Sequence, residues 1–413
     1  MIYQKPKGTK DIFGRETRRV EKANTLARAF FGQNGYEEIK TPTFEFTELF
    51  SRSIGENTDI VEKEMYSFKV DERSYVLRPE GTASVLRAVI ENKISIPARF
   101  LYIGTMFRKE KPQKGRYREF LQLGIENLGK AEPFYDAETI YLAREFLKLV
   151  GAVEFRIEVN SIGCPKCRIQ YKTELKSYLE PKMNRLCADC QRRFEKNFLR
   201  IFDCKKESCQ PVYQAAPMIT DRLCPECGEH YVKVKNFLNL MGIEYAENKR
   251  LVRGLDYYTK TVFEFKSRAL GAQDTLLAGG RYDLLMKELG GGDVPCIGWA
   301  MGQERMLLTL PENLPKIEDP KVFFIAVMGE RFAQELLRLR ITVIDHGFIC
   351  FMGNPEAPIK HQMKDADRFG ADHVIIYGEN EEKEHYYTVK NMKSGEQVQV
   401  LKDNLDKFLT AVV

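Results

Sequence analysis

One run of six residues combines an arginine, a carboxylate and two adjacent tyrosines. The run holds Arg253, Asp256, Tyr257 and Tyr258. The β-branched and aromatic residues 261 to 265 follow almost at once and predict a strand. Ordinary strands rarely open on so many hydrogen-bonding groups, whereas a site that holds a phosphate and a small, flat polar ring needs them.

A predicted hairpin offers a second set of polar groups. Strands are expected over residues 100–107 and 120–128, separated by a long loop that contains proline and glycine. Strand alternation places on one face Gln122, Gly124 and Glu126. This arrangement is typical of the floor of a ligand-binding site, although a half-exposed strand gives the same alternation. Arg108, at the end of the first strand, favours the ligand floor because a guanidinium grips phosphate oxygens bidentately.

The loop of the hairpin is strongly basic. From residue 107 to 118 it carries six basic side chains and a single acid, Glu110. On charge alone, a solvated loop is the simpler interpretation.

Two further segments carry polar groups beside glycine. Glu80 and Thr82 lie in a Pro/Gly turn, which is also common on protein surfaces. The spacing of Gly298, Gly302 and Arg305 predicts that they share one helical face. Close helix packing would explain the two glycines, whereas the approach of a nucleotide would explain the glycines and the arginine together.

Eight of the ten cysteines occur in closely spaced pairs. They are Cys164 and Cys167, Cys187 and Cys190, Cys204 and Cys209, and Cys224 and Cys227. This spacing favours one or two tetrahedral structural zinc sites. Reduced thiols in a helical insertion are the alternative, and disulfides are disfavoured in the compartment predicted below.

Bulk composition limits the class of protein. With 413 residues, 43% hydrophobic and 30% charged, the chain is expected to be globular, with two or three domains. No apolar run approaches the roughly 20 residues of a membrane span, and the first residues have no apolar signal core, which together predict a cytoplasmic protein without membrane association. The net charge of +5 is mild. Histidine is absent before residue 230, which excludes Ser/His/Asp and Cys/His catalysis from the first half of the chain.

The pattern of elements changes along the chain. An amphipathic helix is predicted over residues 15–34, a helical cysteine-rich block over about 164–245, and a proline-rich linker over 310–320. Beyond it, strands alternate with helices, which predicts a small α/β domain with a mainly parallel sheet. Its predicted elements are strands at 322–328, near 349 and at 373–377, and helices at 330–346 and 359–369.

These segments together resemble one enzyme family. The hairpin resembles motif 2 of class II aminoacyl-tRNA synthetases, and residues 35–46 and 298–305 resemble motifs 1 and 3. The runs at 253–258 and 278–283 are similar to the two signature peptides of histidyl-tRNA synthetases. Residues 361–371 look like that family's anticodon-binding domain. The resemblance covers almost the whole chain, with Lys111 and Gln303 as departures from the usual residues.

The resemblance implies the fold. An α+β catalytic domain, residues 1–320, would be built on the class II synthetase antiparallel sheet with flanking helices. A helical Cys-rich insertion at about 164–245 would interrupt it. An α/β anticodon-binding domain, residues 321–413, would follow, and motif 1 implies a homodimer.

The resemblance also implies a reaction. L-histidine would be activated with ATP, as its Mg²⁺ complex, to histidyl-adenylate, and histidine would then be transferred to the 3′ end of tRNA(His). Arginines would stabilise the phosphoryl transition state, and no side chain need act as a nucleophile.

Roles for single residues follow only from the resemblance. The catalytic arginines would be Arg108 and Arg253. The ATP-binding residues would be Arg108, Glu110 and Arg305. The histidine-binding residues would be Glu80, Thr82, Gln122, Glu126, Arg253, Tyr257 and Tyr258. The tRNA-binding residues would be Gln113, Arg116 and Arg118. Strand alternation pairs Arg253 with Tyr257, whereas the resemblance favours Tyr258, so the tyrosine that meets the imidazole stays open.

Two non-catalytic functions compete with this one. Histidyl-like folds also serve as a regulatory subunit of ATP phosphoribosyltransferase, which predicts a missing C-terminal domain and eroded signature peptides. A zinc-bearing RNA-binding module would explain the cysteines and the basic loop, but it leaves the glycines and arginine at 298–305 without a role.

Overall fold

The structure is a computed structural model in which the chain forms two compact units, Met1–Pro315 and Lys316–Val413. The residues that it describes are 3–55, 58, 60–152, 154–196, 198–271, 274–311 and 320–412. The predicted linker at 310–320 lies largely outside them, and the domain boundary drawn at residue 320 stays a prediction. No helix in the described part of the chain is long and apolar enough to cross a membrane.

The first unit is built on an eight-stranded sheet. In spatial order its strands are Glu37–Glu38, Ala98–Phe107, Glu119–Leu128, Cys296–Gly302, Thr275–Arg281, Thr259–Lys266, Arg156–Ser161 and Ala246–Glu247. The six central strands pair antiparallel, and only the two short outer strands pair parallel with their neighbours. The predicted antiparallel sheet is therefore confirmed.

Helices cover both faces of this sheet. The helices of the unit outside the insertion are Arg15–Gln33, Thr47–Ile54, Thr82–Glu91, Pro133–Leu149, Leu285–Glu288 and Gln303–Leu307, with a π-helical turn at Ile60–Glu64. On one face the rings of Phe31 and Phe146 pack at 5.2 Å, and Phe31 lies 5.7 Å from Trp299 of the sheet. On the other face Val85 and Leu86 of helix Thr82–Glu91 belong to the core that contains the tyrosines of the site.

The prediction of a helical face for Gly298, Gly302 and Arg305 is wrong. Gly298 and Gly302 lie in the strand Cys296–Gly302, and only Arg305 is helical. A side chain at Gly298 would place its Cβ 2.0 Å from the Oε2 atom of Glu126 on the neighbouring strand. The glycine is therefore required by close approach across the sheet rather than by helix packing.

A small second sheet flanks this unit. Its strands, in spatial order, are Phe44–Phe46, Arg73–Leu77 and Tyr66–Val70, all paired antiparallel. The aromatic rings of Phe46 and Phe68 stack on Tyr75, at centroid distances of 5.2 and 5.8 Å. Both phenylalanines are exposed to solvent, so the described residues leave an apolar face uncovered.

The insertion is helical, as its sequence pattern predicts. Its α-helices are Pro165–Leu179, Ala188–Lys196, Gln210–Gln214 and Pro225–Leu240, and its 3-10 helices are Glu180–Arg185, Phe198–Asp203, Glu207–Cys209 and Ile219–Arg222. Its middle part has a hydrophobic core of its own, which includes Tyr171, Leu175 and Tyr213.

The second unit is a five-stranded sheet with helices. In spatial order the strands are Ile349–Met352, Val322–Val327, His373–Tyr377, Tyr386–Asn391 and Gln397–Leu401. Its α-helices are Ala333–Asp345, Ile359–Arg368, Glu379–Lys383 and Leu405–Val412. The first three strands are parallel, but the last two pair antiparallel, so the expected mainly parallel sheet is in fact mixed.

Candidate active site

A cavity of about 360 Å³ collects most of the predicted site residues. The predicted residues that line it are Glu80, Thr82, Arg108, Glu110, Arg116, Gln122, Arg253, Tyr257, Tyr258 and Arg305. The hairpin with its loop, the strand Cys296–Gly302 and the peptide before strand Thr259–Lys266 supply most of its walls. Residues about 225 positions apart in sequence therefore meet in one site.

Glu80 forms part of what we call the carboxylate region, which consists of Glu80, Thr82, Gln122, Glu126 and Tyr282. The Glu80 carboxylate accepts hydrogen bonds from the amides of Thr82 at 2.7 Å and Ala83 at 2.9 Å, at the start of helix Thr82–Glu91. Burial raises the pKa of Glu80, and these amide hydrogen bonds partly offset the rise. A cation that binds beside this buried carboxylate would stabilise its charged form.

Glu126 lies beneath the cavity lining, on the face of the hairpin that alternation predicts. Its carboxylate accepts hydrogen bonds from the hydroxyl groups of Thr82, at 2.6 Å, and of Tyr282. Burial raises the pKa of Glu126 to about 8, although both hydroxyl groups stabilise the charged form. The carboxyl group is thus poised to titrate near neutral pH.

Gln122 joins the same face to the turn that carries Glu80. Its Oε1 atom accepts hydrogen bonds from the Gly81 amide at 3.1 Å and from the Tyr102 hydroxyl at 3.3 Å. Its Nε2 group has no protein acceptor among the side-chain hydrogen bonds of the described residues. The alternation argument therefore placed Gln122 and Glu126 on the correct face.

Arg253 lies in an irregular segment, because the strand begins only at Thr259. The alternation that paired Arg253 with Tyr257 is therefore wrong. The guanidinium lies 5.5 Å from the ring of Tyr258 and forms an ion pair with Glu264. The rings of Tyr257 and Tyr258 are 4.7 Å apart, and both are buried.

The arginine region consists of Arg108, Glu110, Arg116 and Arg305. The Nε atom of Arg108 donates to the carbonyl oxygen of Pro79 at 2.8 Å. Glu110 forms ion pairs with Arg108 at 3.7 Å and with Arg116 at 2.9 Å. Burial, followed by repulsion from Arg116, lowers the pKa of Arg305. Three cations around one carboxylate favour the binding of an anion.

The remaining predicted tRNA-binding residues lie outside the cavity lining. Gln113 forms a tight turn with Arg116 through reciprocal backbone hydrogen bonds of 3.2 and 2.9 Å. Arg118 donates to the carbonyl oxygens of Glu110 at 3.4 Å and Lys7 at 3.2 Å. Arg116 alone of the three reaches the cavity.

In the peptide at residues 278–283, some residues stabilise the fold and others reach the site. Arg281 is fully buried and forms an ion pair with Asp136, which also contacts the Nε2 atom of His230 at 3.1 Å. Burial alone would raise the pKa of Asp136, but Arg281 lowers it well below its ordinary value. This cluster joins the sheet to helices Pro133–Leu149 and Pro225–Leu240, whereas Ala278 and Tyr282 of the same peptide line the cavity.

The eight paired cysteines form two tetrads. The first tetrad is Cys164, Cys167, Cys224 and Cys227; the second tetrad is Cys187, Cys190, Cys204 and Cys209. Within each, all four sulfur atoms lie within 4.8 Å of one another. Four sulfurs bound at about 2.3 Å to a tetrahedral zinc ion would lie about 3.8 Å apart. The distances of 3.7 Å between Cys164 and Cys167 and 3.9 Å between Cys187 and Cys204 fit that geometry, and are far too long for disulfides.

In each tetrad the pKa of one cysteine falls, whereas burial raises the pKa of others, among them Cys167 and Cys190. Burial opposes ionisation of Cys164, but hydrogen bonds from the backbone and side chain of Cys167 lower its pKa to about 7. Cys190 acts in the same way on Cys187, whose pKa also falls to about 7. Because thiolates are the ligand form of cysteine, both sites are suited to a soft cation.

Comparisons with known proteins decide the family. A family model described as Histidyl-tRNA synthetase matches residues 8–169, and one described as Anticodon binding domain matches residues 321–411. A curated protein of Halothermothrix orenii, named histidine–tRNA ligase, is 46% identical over 100% of both chains. The chain belongs to the histidyl-tRNA synthetase family. A Thermosipho melanesiensis protein of the same name is 44% identical over 97% of each chain.

A solved structure supports the same assignment. The apo histidyl-tRNA synthetase of S. aureus matches with a TM-score of 0.81 and 34% identity, over 99% of this chain and 100% of that one.

The departure of this family member at Gln303 has a structural reason. Its side chain is fully buried, and its Nε2 atom donates to the Oδ1 atom of Asn24 at 2.7 Å.

The residues near the site of this synthetase family member that sequence reasoning missed include Tyr282, Tyr102 and Arg200. Tyr282 is the hydrogen-bond partner of Glu126, and Tyr102 is a partner of Gln122. Arg200, from the insertion, lines the cavity. Tyr282 lay inside a recognised signature peptide, which was a usable signal, whereas no local pattern marks Arg200 or Tyr102.

Proposed function

We propose that this chain activates L-histidine with ATP and transfers it to tRNA(His), the reaction of a histidine–tRNA ligase. In the first step a carboxylate oxygen of histidine attacks the α-phosphorus of ATP, and the bond to pyrophosphate breaks. In the second step a hydroxyl group of the terminal ribose attacks the histidyl carbonyl carbon, and AMP leaves. Membership of the family and the names of its full-length relatives support this reaction.

The observation that carries the proposal is a single cavity with two opposite chemistries. In the carboxylate region, Glu80, Thr82 and Gln122 would hold the α-ammonium group of histidine. Glu126, with Tyr257 and Tyr258 on the cavity wall, would face the imidazole. A buried polar pocket of this kind discriminates strongly, because a substrate without the matching groups leaves its partners unpaired.

The arginines would handle the nucleotide. Arg108 and Arg253 would bind the α-phosphate and stabilise the charge that develops there. Preorganised cations stabilise such charge more strongly in a site that excludes water than in bulk water. Glu110 and Arg305 would hold the rest of ATP, which enters as its Mg²⁺ complex. Arg116, Gln113 and Arg118, on the hairpin loop, would position the tRNA end, and the Anticodon binding domain match supports a second tRNA contact in residues 321–411.

Histidine-dependent exchange between ATP and pyrophosphate tests the activity directly. We expect Arg253→Gln to lower the exchange rate about 10³-fold, as removal of one transition-state donor does, and to leave tRNA binding intact. Arg250→Gln is the matched control, because Arg250 is exposed in the same segment. Good tRNA binding without exchange would instead favour an RNA-binding module, and absence of both would favour the regulatory subunit.

We also propose that the protein is a homodimer. The segment that resembles motif 1 contains Phe44 and Phe46, which form an exposed apolar face together with Phe68. A contiguous exposed apolar face of this kind marks an interaction surface. Sedimentation should show a dimer for the natural protein and a monomer for Phe46→Lys, whereas Lys69→Glu, on the strand that carries Phe68, should stay dimeric. A monomeric natural protein would contradict this.

The cytoplasmic location stays a prediction.

Each tetrad is proposed to hold one structural zinc ion. The sulfur distances and the lowered pKa values of Cys164 and Cys187 support this. Metal analysis should find about two zinc ions per chain, and about one in either Cys227→Ser or Cys190→Ser. Cys350→Ser is the control, because that cysteine lies outside both tetrads. Less than about 0.2 zinc per chain in the natural protein would favour the reduced-thiol alternative.

A further inference from the structure

The peptide that carries Tyr258 is hydrogen-bonded to the segment that leads into the first tetrad. The Lys260 amide donates to the carbonyl oxygen of Gly163 at 3.0 Å, and the Ile162 amide donates to that of Lys260 at 2.8 Å. Lys260 has a φ of +49°, in the left-handed region that few residues other than glycine adopt. Such a conformation persists only where its surroundings hold it, so these bonds fix the chain just after Tyr258.

Arg168, the residue after Cys167, reaches the same peptide with its side chain. Its Nη2 atom donates to the carbonyl oxygen of Tyr258, and its Nε atom donates to that of Ile162 at 3.3 Å. Because the donor is charged, this hydrogen bond is stronger than one between neutral groups. Burial lowers the pKa of Arg168, and the nearby carboxylate of Asp256 partly offsets this.

The other CxxC loop of the first tetrad makes a weaker contact. Glu226, between Cys224 and Cys227, forms an ion pair with the Nζ atom of Lys260 at 3.2 Å. The Glu226 side chain is 78% exposed, and exposed pairs contribute little. Arg168 is therefore the principal side-chain link between the first tetrad and the peptide.

The position of Arg168 depends on how the first loop closes. Gly163 has a φ of +63°, and a Cβ atom there would lie 2.6 Å from the Cβ atom of Cys167. The amide of Cys224 donates to the Sγ atom of Cys167 at 3.1 Å. The loop from Cys164 to Cys167 thus packs closely around the sulfur atom of Cys167. A metal ion bound by the four sulfurs would hold Cys167 in place, and with it the backbone of Arg168, the next residue.

We propose that Arg168 is a positioning residue for the histidine pocket, and that zinc in the first tetrad holds Arg168 in place so that it orients Tyr258. This rests on the proposed ligase function and on the proposed zinc site. Loss of the metal would then weaken histidine binding selectively, because the link ends on the tyrosine peptide and not on the arginine region. The first tetrad would then increase the affinity for histidine as well as stabilise the fold.

The decisive experiment compares Arg168→Met with Arg222→Met. Arg222 belongs to the same part of the insertion, but it pairs with Glu174 instead of the tyrosine peptide. We expect Arg168→Met to raise the KM for histidine about tenfold in pyrophosphate exchange, which is the usual effect of losing a hydrogen bond to a charged group. The KM for ATP should stay within about twofold of the natural value, and the zinc content should not change. Arg168→Lys should restore part of the loss.

A second measurement covers the case in which Arg168→Met does not fold. Calorimetry would compare histidine and ATP binding to the natural protein before and after chelation, and to Cys227→Ser with Cys350→Ser as control. We expect the Kd for histidine to rise about tenfold on loss of the first zinc, with the Kd for ATP unchanged.

The outcomes separate the linked proposals. A histidine KM within twofold of normal in Arg168→Met, or an equal rise for both substrates, overturns the positioning role. A natural protein without zinc overturns the metal site, while the comparison of Arg168→Met with Arg222→Met still decides whether Arg168 orients the pocket. Absence of exchange in the natural protein overturns the ligase function instead.

Discussion

The carboxylate region and the arginine region share one cavity but are built in different ways. In the carboxylate region, Glu80 and Glu126 are at most 3% exposed, and backbone amides or hydroxyl groups already hold them. In the arginine region, the cations are only partly buried and gather around the single carboxylate of Glu110. Under the proposed roles, the comparison teaches that a small, defined substrate would be met by fixed, desolvated groups, whereas a flexible polyanion would be met by an excess of charge.

The largest expected effect comes from removing charge in the carboxylate region. Glu80→Gln should lower histidine-dependent exchange about 10³-fold, because one partner of the proposed buried ion pair with the α-ammonium group of histidine is lost. Glu91→Gln, on the exposed end of the same helix, should leave exchange unchanged. Kinetic assays with thermal unfolding as a folding check measure both. A loss of less than tenfold for Glu80→Gln would remove the distinction between the two regions.

A change in the arginine region should have a smaller effect, confined to ATP. Arg305→Met should raise the KM for ATP about 10- to 100-fold, the range expected for lost hydrogen bonds to a charged group. The KM for histidine should not change, and Arg305→Lys should give an intermediate value. Steady-state kinetics with each substrate varied in turn measures this. An equal rise in both KM values would show that the regions are not independent.

The carboxylate region should also make stability depend on pH. The pKa of Glu126 is about 8 in the folded protein against an ordinary value of 4.5, so the native state holds a proton that the unfolded state releases. The stability of the natural protein relative to Glu126→Gln should therefore fall as pH rises from about 4.5 to 8. Urea unfolding of both proteins at several pH values measures the difference. A constant difference across this range would contradict the raised pKa.

The smallest expected effect lies at the outer edge of the arginine region. Arg118→Ala should lower tRNA charging severalfold and leave pyrophosphate exchange unchanged, because Arg118 lies outside the cavity lining. Its control is Lys93→Ala, an exposed residue at the end of helix Thr82–Glu91. Charging assays with varied tRNA concentration distinguish the two, and an equal loss of exchange would place Arg118 in the activation step.

Local patterns predicted the parts of the fold that are local in origin. The hairpin, its polar face and the strand His373–Tyr377 follow from alternation and turn residues. The error at Gly298 and Gly302 arose because a spacing of four residues fits one face of a strand as well as one face of a helix. Pairing with the strands Glu119–Leu128 and Thr275–Arg281 decides between them, and pairing is not visible in the segment itself.

The rest of the site depends on contacts that are distant in sequence. Arg168 and Tyr258 are 90 positions apart, and Tyr282 and Glu126 are 156 positions apart. No periodicity within a segment reports such partners. The division of the cysteines into two tetrads is of the same kind, because the spacing of the pairs allowed several combinations and only the folded insertion selects one.

The order of strands in the large sheet has a consequence during synthesis. The strand Glu119–Leu128 pairs with its earlier neighbour at once, but its other neighbour is Cys296–Gly302. That partner is made about 170 residues later, which at roughly 5 to 20 residues per second leaves one strand edge open for about 10 to 30 s. An open edge is a template for pairing between nascent chains. Ribosomes that stall within the insertion would therefore release a chain in which one edge of strand Glu119–Leu128 is unpaired.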